Sequence, residues 1–423
     1  MTLAKRMTIA VLLLSMGSAF SVAHAANEWP HWRGPNYNGH SAEKGLPTKW
    51  SAKDVTWKAE LKGRGQSSPT IVGERIFLTT ALERGVQRVV FCVDRNDGRV
   101  LWEHVAWTGA PEPTHRMNGF ASATVATDGK RVYAFFGKGG LHCYTVEGKH
   151  EWSRDLGEFV GPWGVAGCPL IVGDLVVQNC DADADAYIVA VNKKTGETVW
   201  KTPRQDGDGE SHRGWSTPIP IRFNDRDELV MNGHAGVSSY DPKTGKRLWF
   251  CKSFRGRGTP TVTPTPGNDL LFAVGGTAKQ MMAVRPGGNG VVTDTHRAWV
   301  ADRVGGRDLP SPILIGDYLL VCAKGGVLTC YHPKTGDSMW TERIGGVFTS
   351  TPISHSGLAF FINEDGETIA IKPGKEVEIT ARCTVDPGNT EIFRASITPS
   401  DGQVFVRSDQ ALYCIGTRKG SGK

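Results

Sequence analysis

A glycine followed four positions later by a tryptophan recurs through this chain at a nearly constant interval. It appears as Gly98…Trp102, Gly148…Trp152, Gly196…Trp200, Gly245…Trp249 and Gly336…Trp340, while Trp57 and Trp299 keep the interval without the glycine. The steps between the seven tryptophans are 45, 50, 48, 49, 50 and 41 residues. Self-similarity at this period, carried by short alternating apolar runs, is the mark of a propeller or a solenoid. It constrains architecture far more than function, because such positions build the repeat itself.

Aligning on the tryptophan predicts a four-stranded unit. A small or hydroxyl residue, usually followed by proline, opens it: Ser68-Pro69, Cys168-Pro169, Thr217-Pro218, Thr259-Pro260, Ser311-Pro312 and Thr351-Pro352, with Ser122-Ala123 and Ser396-Ile397 as degenerate copies. Two apolar strands follow, then a third ending in Asp or Asn, as in Val90-Phe91-Cys92-Val93-Asp94. A Thr-Gly or Asp-Gly turn next supplies the positive φ of a tight hairpin, and the tryptophan strand ends the unit. Eight openings stand against seven tryptophans; the last unit ends at Leu412-Tyr413-Cys414-Ile415 without a fourth strand, and Val55-Thr56-Trp57-Lys58 precedes the first opening. The expected fold is an all-β, eight-bladed propeller over residues 55–415 whose N-terminal strand completes the last blade. That closure removes the exposed sheet edge. The repeated tryptophans are expected to fill the gaps between blades, where a large aromatic contributes most.

Outside the repeat, Lys5-Arg6, an apolar run from Met7 to Phe20 and Ala23-His24-Ala25 read as a Sec-type signal peptide over residues 1–25. The expected mature protein is exported to the periplasm or beyond, as a monomer without a transmembrane segment. Residues 26–54 form an arm expected to pack on the ring through Trp29 and Trp32, and 416–423 a polar, disordered tail. Formal charge is +6; without Lys5 and Arg6, 47 basic residues face 43 acidic ones, which gives no footprint for nucleic acid. All nine cysteines follow the signal segment. Four (Cys92, Cys143, Cys330, Cys414) hold one register and read as buried small apolar groups. Cys168 with Cys180 and Cys322 with Cys330 each flank a tight turn, and a bridge in an oxidising compartment stays open for either pair.

Loops leading into the first strand of each blade gather around one mouth of a propeller's channel. Six carry an arginine: Arg64, Arg116, Arg213, Arg257, Arg307 and Arg394; the other two hold Trp163 and Val347. Converging guanidiniums suit a carboxylate, sulfate or phosphate; alternatively each arginine binds loop carbonyls or a nearby acid. Trp163 and Trp215 stand in the same loops and can stack a planar or sugar ligand. Asp181, Asp183 and Asp185 alternate like the opening of a calcium loop, though Ala186 and Asn192 stand where its later glycine and glutamate belong. The competing reading is a solvated acidic loop or a partner for the arginines.

The Thr-Gly-x-x-x-Trp turn repeated with Ser/Thr-Pro openings resembles the pyrroloquinoline quinone (PQQ) repeat family, over about residues 55–415. Stretches such as His31-Trp32-Arg33-Gly34-Pro35 and Asn179-Cys180-Asp181-Ala182-Asp183 resemble a subfamily exported by planctomycete bacteria. The resemblance implies an eight-bladed propeller of the kind shared by quinoprotein alcohol dehydrogenases and the BamB outer-membrane assembly lipoprotein. A dehydrogenase of that kind would carry an adjacent cysteine pair, calcium ligands and a catalytic aspartate. No two cysteines are adjacent here, no nucleophile elbow, zinc-protease helix or phosphate loop occurs, and no cysteine stands at the signal cleavage point to take a lipid. The expectation is therefore a non-enzymatic binding or scaffold module, BamB-like in envelope assembly, with an anionic small molecule, acidic glycan or protein as partner. Its alternatives are a PQQ- and calcium-dependent dehydrogenase and a hydrolase using the same face.

Overall fold

The computed structural model describes residues 28–204, 214–253, 260–275, 279–307, 309–388 and 390–418. The signal segment and the end of the polar tail lie outside the described residues. Eight antiparallel sheets follow one another around a ring. Blade 1 runs from Thr70–Val72 to Val100–Thr108, blade 2 from Ala126–Thr127 to His150–Arg154, and blade 3 from Leu170–Val172 to Thr198–Pro203. Blade 4 runs from Ile219–Phe223 to Arg247–Lys252, blade 5 from Thr263–Pro264 to Arg297–Asp302, and blade 6 from Ile313–Ile315 to Ser338–Arg343. Blade 7 runs from Ile353–His355 to Glu378–Cys383. Blade 8 holds Thr398–Ser400, Gln403–Arg407 and Ala411–Ile415, and Val55–Glu60 supplies its fourth strand. That strand pairs antiparallel with the last one, Trp57 opposite Cys414 and Glu60 opposite Ala411, so the ring closes as expected.

The repeated motif has a mechanical explanation. Six tryptophans donate their indole N–H to a turn carbonyl of the next blade: Trp57 to Arg95, Trp102 to Val146, Trp152 to Lys193, Trp200 to Pro242, Trp299 to Pro333 and Trp340 to Gly374. The motif glycine of that next turn lies flat against the ring. A Cβ on Gly196, whose φ is +71°, would stand 2.7 Å from the Trp152 ring, and one on Gly98 2.7 Å from Trp57. Each glycine is thus required twice, for its left-handed backbone and for the approach of the indole. Gly196→Ala is expected to cost about 1–3 kcal/mol through strain and overpacking, read as a lower urea midpoint; an unchanged midpoint would mean that the two blades slide apart freely. In four blades the cysteine register faces the tryptophan strand: Cys92 lies opposite Trp102, Cys143 opposite Trp152, Cys330 opposite Trp340 and Cys414 opposite Trp57. All nine cysteines are buried and free, so neither hairpin pair is bridged.

Trp249 breaks the rule. An insertion in blade 5 lays Gly290–Val291 parallel to the outer strand of blade 4, making that sheet five-stranded. Trp249 is fully buried and donates at 2.6 Å to Glu228 of its own blade. The Glu228 carboxylate is also fully buried and accepts from Ser239 Oγ at 2.7 Å and from two nitrogens of Arg226 at 2.6 and 2.8 Å.

The arm does more than pack on the ring: it threads the channel. Trp29 exchanges two backbone hydrogen bonds with Ile71 of blade 1, the Pro30 carbonyl accepts from Thr127 of blade 2, and Gly39 and Ser41 pair with Ser354 of blade 7. Arg33 spans to blades 5 and 6, donating to the carbonyls of Val262 (3.0 Å) and Pro312 (3.3 Å) and to Thr263 Oγ1 (2.9 Å). These bonds tie inner strands from different sides of the ring to one segment. Leaving the channel, the arm reaches blades 8 and 7. Glu43 accepts the N–H groups of Asp401 and Gly402, and Trp50 stacks on Phe360. The first residues of the tail are paired, Arg418 with Glu74 and Asp401.

Candidate functional site

The opening residues of the blades form a belt around the channel mouth. The backbone N–H of each donates to the side chain of the next: Ser68 to Thr124 (2.8 Å), Thr124 to Cys168 Sγ (3.3 Å), Cys168 to Thr217 (3.0 Å), Thr217 to Thr261 (3.0 Å), Thr261 to Ser311 (3.0 Å) and Ser311 to Thr351 (3.2 Å). Ser396 returns to Ser68 at 3.0 Å. Proline follows at most of these positions because the strand it opens is the inner edge, where a missing N–H costs no ladder bond. The sequence register slips in two blades: the belt uses Thr124 and Thr261, two residues beyond the expected Ser122 and Thr259, because no Ser/Thr-Pro pair marks the true position there.

Above the belt the loops enclose a cup of about 190 Å³, with Trp32 of the arm reaching it from within the channel. Trp163, Trp215, Arg307 and Arg394 line it, as do His115 and Met117. Trp163 lies with the Arg307 guanidinium 5.9 Å from its centroid and the His115 ring at 4.9 Å. Trp215 is fixed by its indole N–H, which donates to Gly164 at 2.8 Å. Arg394 is held by Glu364, Nε to Oε1 at 2.9 Å, and donates to the Arg116 carbonyl at 3.0 Å.

The structure therefore brings together four of the eight expected ligand residues. Arg116 contributes its carbonyl beside the cup and its side chain is not in the lining. Arg64 is largely exposed and ion-paired with Asp409. Arg213 and Arg257 lie outside the described residues. The aspartates go elsewhere. Asp181 is buried against Arg204 at 2.6 Å, the Asp183 carboxylate lies close to Gly161, and Asp185 is exposed with a φ of +53°. Among the described residues no three His, Cys, Asp or Glu side chains are placed to hold a metal ion.

Two contributors were not foreseen. One is Trp32, with Arg33 behind it: the buried Arg33 guanidinium lies 5.8 Å from the Trp32 centroid, and its hydrogen bonds run to neutral oxygens. Burial depresses the Arg33 pKa to about 9, so it remains a cation at neutral pH. The other is the loop from Gly109 to Ala121, which spans the mouth. Near its start Glu112 pairs with buried Arg88 at 2.6 Å, and near its end Phe120 lies over the same guanidinium. Its tip meets blade 6 through Lys324 and Met117 Sδ (3.2 Å) and the loop before blade 3 through Asn118 and the Trp163 carbonyl (3.0 Å).

A family model described as outer membrane protein assembly factor BamB matches residues 42–121 and 87–342. The chain belongs to this BamB-type PQQ-repeat family. A BamB of Alkalilimnicola ehrlichii is 23% identical over 212 residues, 48% of this chain and 50% of that protein. A quinohemoprotein alcohol dehydrogenase of Pseudomonas putida is 23% identical over 207 residues, 44% of this chain and 27% of the enzyme. The match spans about half the length of the first curated relative and about a quarter of the second. Among solved structures, BamB from Moraxella catarrhalis superposes with a TM-score of 0.61 at 14% identity, covering 87% of this chain and 99% of that one. Quinohemoprotein alcohol dehydrogenase from Comamonas testosteroni gives 0.68 at 11% identity, covering 94% and 82%. These likenesses establish the BamB-type propeller fold. They also raise PQQ and calcium, and the described residues do not fit that pair. Among its described residues the lining carries no carboxylate, and the cysteine there, Cys168, is single and buried.

Proposed function

We propose that this BamB-type propeller is an exported, non-enzymatic binding module of the cell envelope that engages its ligand or a partner protein's anionic group at the channel mouth. The observation that carries this reading is the cup itself: tryptophans and arginines converge in it, and none of its described lining residues is a carboxylate that could bind calcium or act as a general base. Residues 1–25 support export. The BamB relatives support an assembly role with protein partners, and among the described residues no helix is long and apolar enough to cross a membrane. A PQQ-dependent dehydrogenase is the second reading, favoured by Arg307 against Trp163, a pairing that suits a planar anion. Dye reduction with PQQ, calcium and primary alcohols separates the two: no turnover is expected, with recovery of an envelope protein by crosslinking in cells. PQQ-dependent turnover would overturn the proposal.

A further inference from the structure

We infer that the cup takes one chemical class of ligand, a small aromatic carboxylate of one or two fused rings; this rests on the binding-module reading and names what the module binds. The polar atoms of the cup are one-sided. Ser311 and Thr351 each accept a belt N–H with their hydroxyl oxygen, which leaves the hydroxyl proton to turn toward the cup, whereas Thr124 and Thr217 also meet the Cys168 side chain. The amide oxygen of Asn118 accepts from Gly119 N–H and from Ser122 Oγ, whose single proton is thereby used, while that of Gln66 lies 3.2 Å from the same Oγ. Arg307 and Arg394 donate only. A wall with the Arg307 and Arg394 guanidiniums and more open donors than open acceptors favours a ligand end that is anionic and accepts at both oxygens, such as a carboxylate, over an amide, which accepts at one.

Thr349 points the same way independently. Its Oγ1 is buried in the lining without a hydrogen-bond partner within the protein. Buried hydroxyls are rarely left so, and an acceptor arriving with a ligand would satisfy it. The buried Arg33 cation beneath Trp32 adds positive potential in a poorly screened setting.

The apolar part of the lining sets the rest. Trp32, Trp163 and Trp215 present indoles, and aromatic partners gain from stacking or edge contacts with them. At about 190 Å³ the cup is below the roughly 300–1,000 Å³ of sites for drug-sized molecules, which favours a small ring system with its carboxylate.

The test is isothermal titration of the full chain with benzoate, indole-3-carboxylate, benzamide and cyclohexanecarboxylate, alongside PQQ with calcium in the dye assay. Both aromatic carboxylates are expected to bind. Benzamide should bind at least about tenfold more weakly, since a hydrogen-bonded charge is exchanged for a misdirected dipole, and cyclohexanecarboxylate should also be weaker. Thr349→Val keeps the shape of the side chain and removes the hydroxyl; it should weaken benzoate by about tenfold without lowering the urea midpoint of the free protein. Equal affinity for benzoate and benzamide, an unchanged benzoate affinity in Thr349→Val, or no heat with any carboxylate would overturn the inference. In each case an inactive dye assay leaves the binding-module reading standing, whereas PQQ-dependent turnover removes that reading as well.

Discussion

Replacing Glu228 with alanine is expected to be among the most damaging single changes in this protein, costing about 3–5 kcal/mol. The carboxylate is fully buried, and its two oxygens are divided between donors: Arg226 takes Oε1, while Ser239 and Trp249 take Oε2. Removing it leaves a buried hydroxyl and an indole N–H without their acceptor in blade 4 and takes the carboxylate from Arg226, which keeps only the Gly288 carbonyl and Asn289 among its described partners. Glu228→Gln should fail for a related reason. With the amide nitrogen beside Arg226 it faces only donors; turned the other way it can donate to Ser239 Oγ but still faces the Trp249 N–H. Trp249→Ala would leave the carboxylate paired and should act through its cavity instead. Urea unfolding of Glu228→Ala, Glu228→Gln and Trp249→Ala reads all three. A Glu228→Ala protein within about 1 kcal/mol of the parent would show that the carboxylate contributes nothing net, as some buried ion pairs do not.

Acid should unfold the ring well before its carboxylates are protonated. His40, His142 and His355 are each depressed from 6.5 to about 4, in every case chiefly because burial disfavours the charged ring. His142 shows why: Nε2 faces the Gly139 carbonyl at 2.7 Å and Nδ1 faces Ser153 Oγ at 2.8 Å, so the neutral tautomer with its proton on Nε2 satisfies both. His40 also feels the Arg33 cation. Because the folded-state values lie below the unfolded ones, the unfolded chain binds more protons between pH 6.5 and 4. Stability is full above about pH 6.5 and falls as the pH drops toward 4. At roughly 1.4 kcal/mol per pH unit and group, His142 and His355 contribute on the order of 3 kcal/mol each, and the less buried His40 less. Urea midpoints at pH 7.5, 6 and 4.5 should fall steeply, and His142→Gln should flatten the profile. A midpoint constant over that range would refute this account.

The ring was readable because its signals are local and repeated. Gly98, Gly148, Gly196, Gly245 and Gly336 each satisfy a turn and an indole, so each blade announces itself within ten residues. The closing strand followed from counting eight openings against seven tryptophans. Where one residue does a unique job, no period reports it. Nothing in Trp29-Pro30-His31-Trp32-Arg33 says that Arg33 will find carbonyls more than two hundred residues away. Trp299 keeps the interval without its glycine, and nothing in that departure says that the preceding turn would lay a fifth strand beside Trp249. The cup was half legible. Position in the repeat brought Arg307, Arg394, Trp163 and Trp215 to one mouth, while the direction in which Arg64 turned depended on Asp409, a residue at the other end of the chain.

The threaded arm also decides the order of events during folding. Residues 29–41 lie inside a ring that is completed only when Val55–Glu60 meets Ala411–Ile415, so a segment made among the first must wait for the strand made last. The inner strands have to assemble around the arm, or the arm has to enter an unclosed ring; both routes demand contacts across nearly the whole chain, which slows folding. Once the ring is closed, fraying of a single blade releases neither end of the arm, since bonds to blades 1, 2, 5, 6 and 7 hold it independently. Slow unfolding is the expected consequence, over and above equilibrium stability.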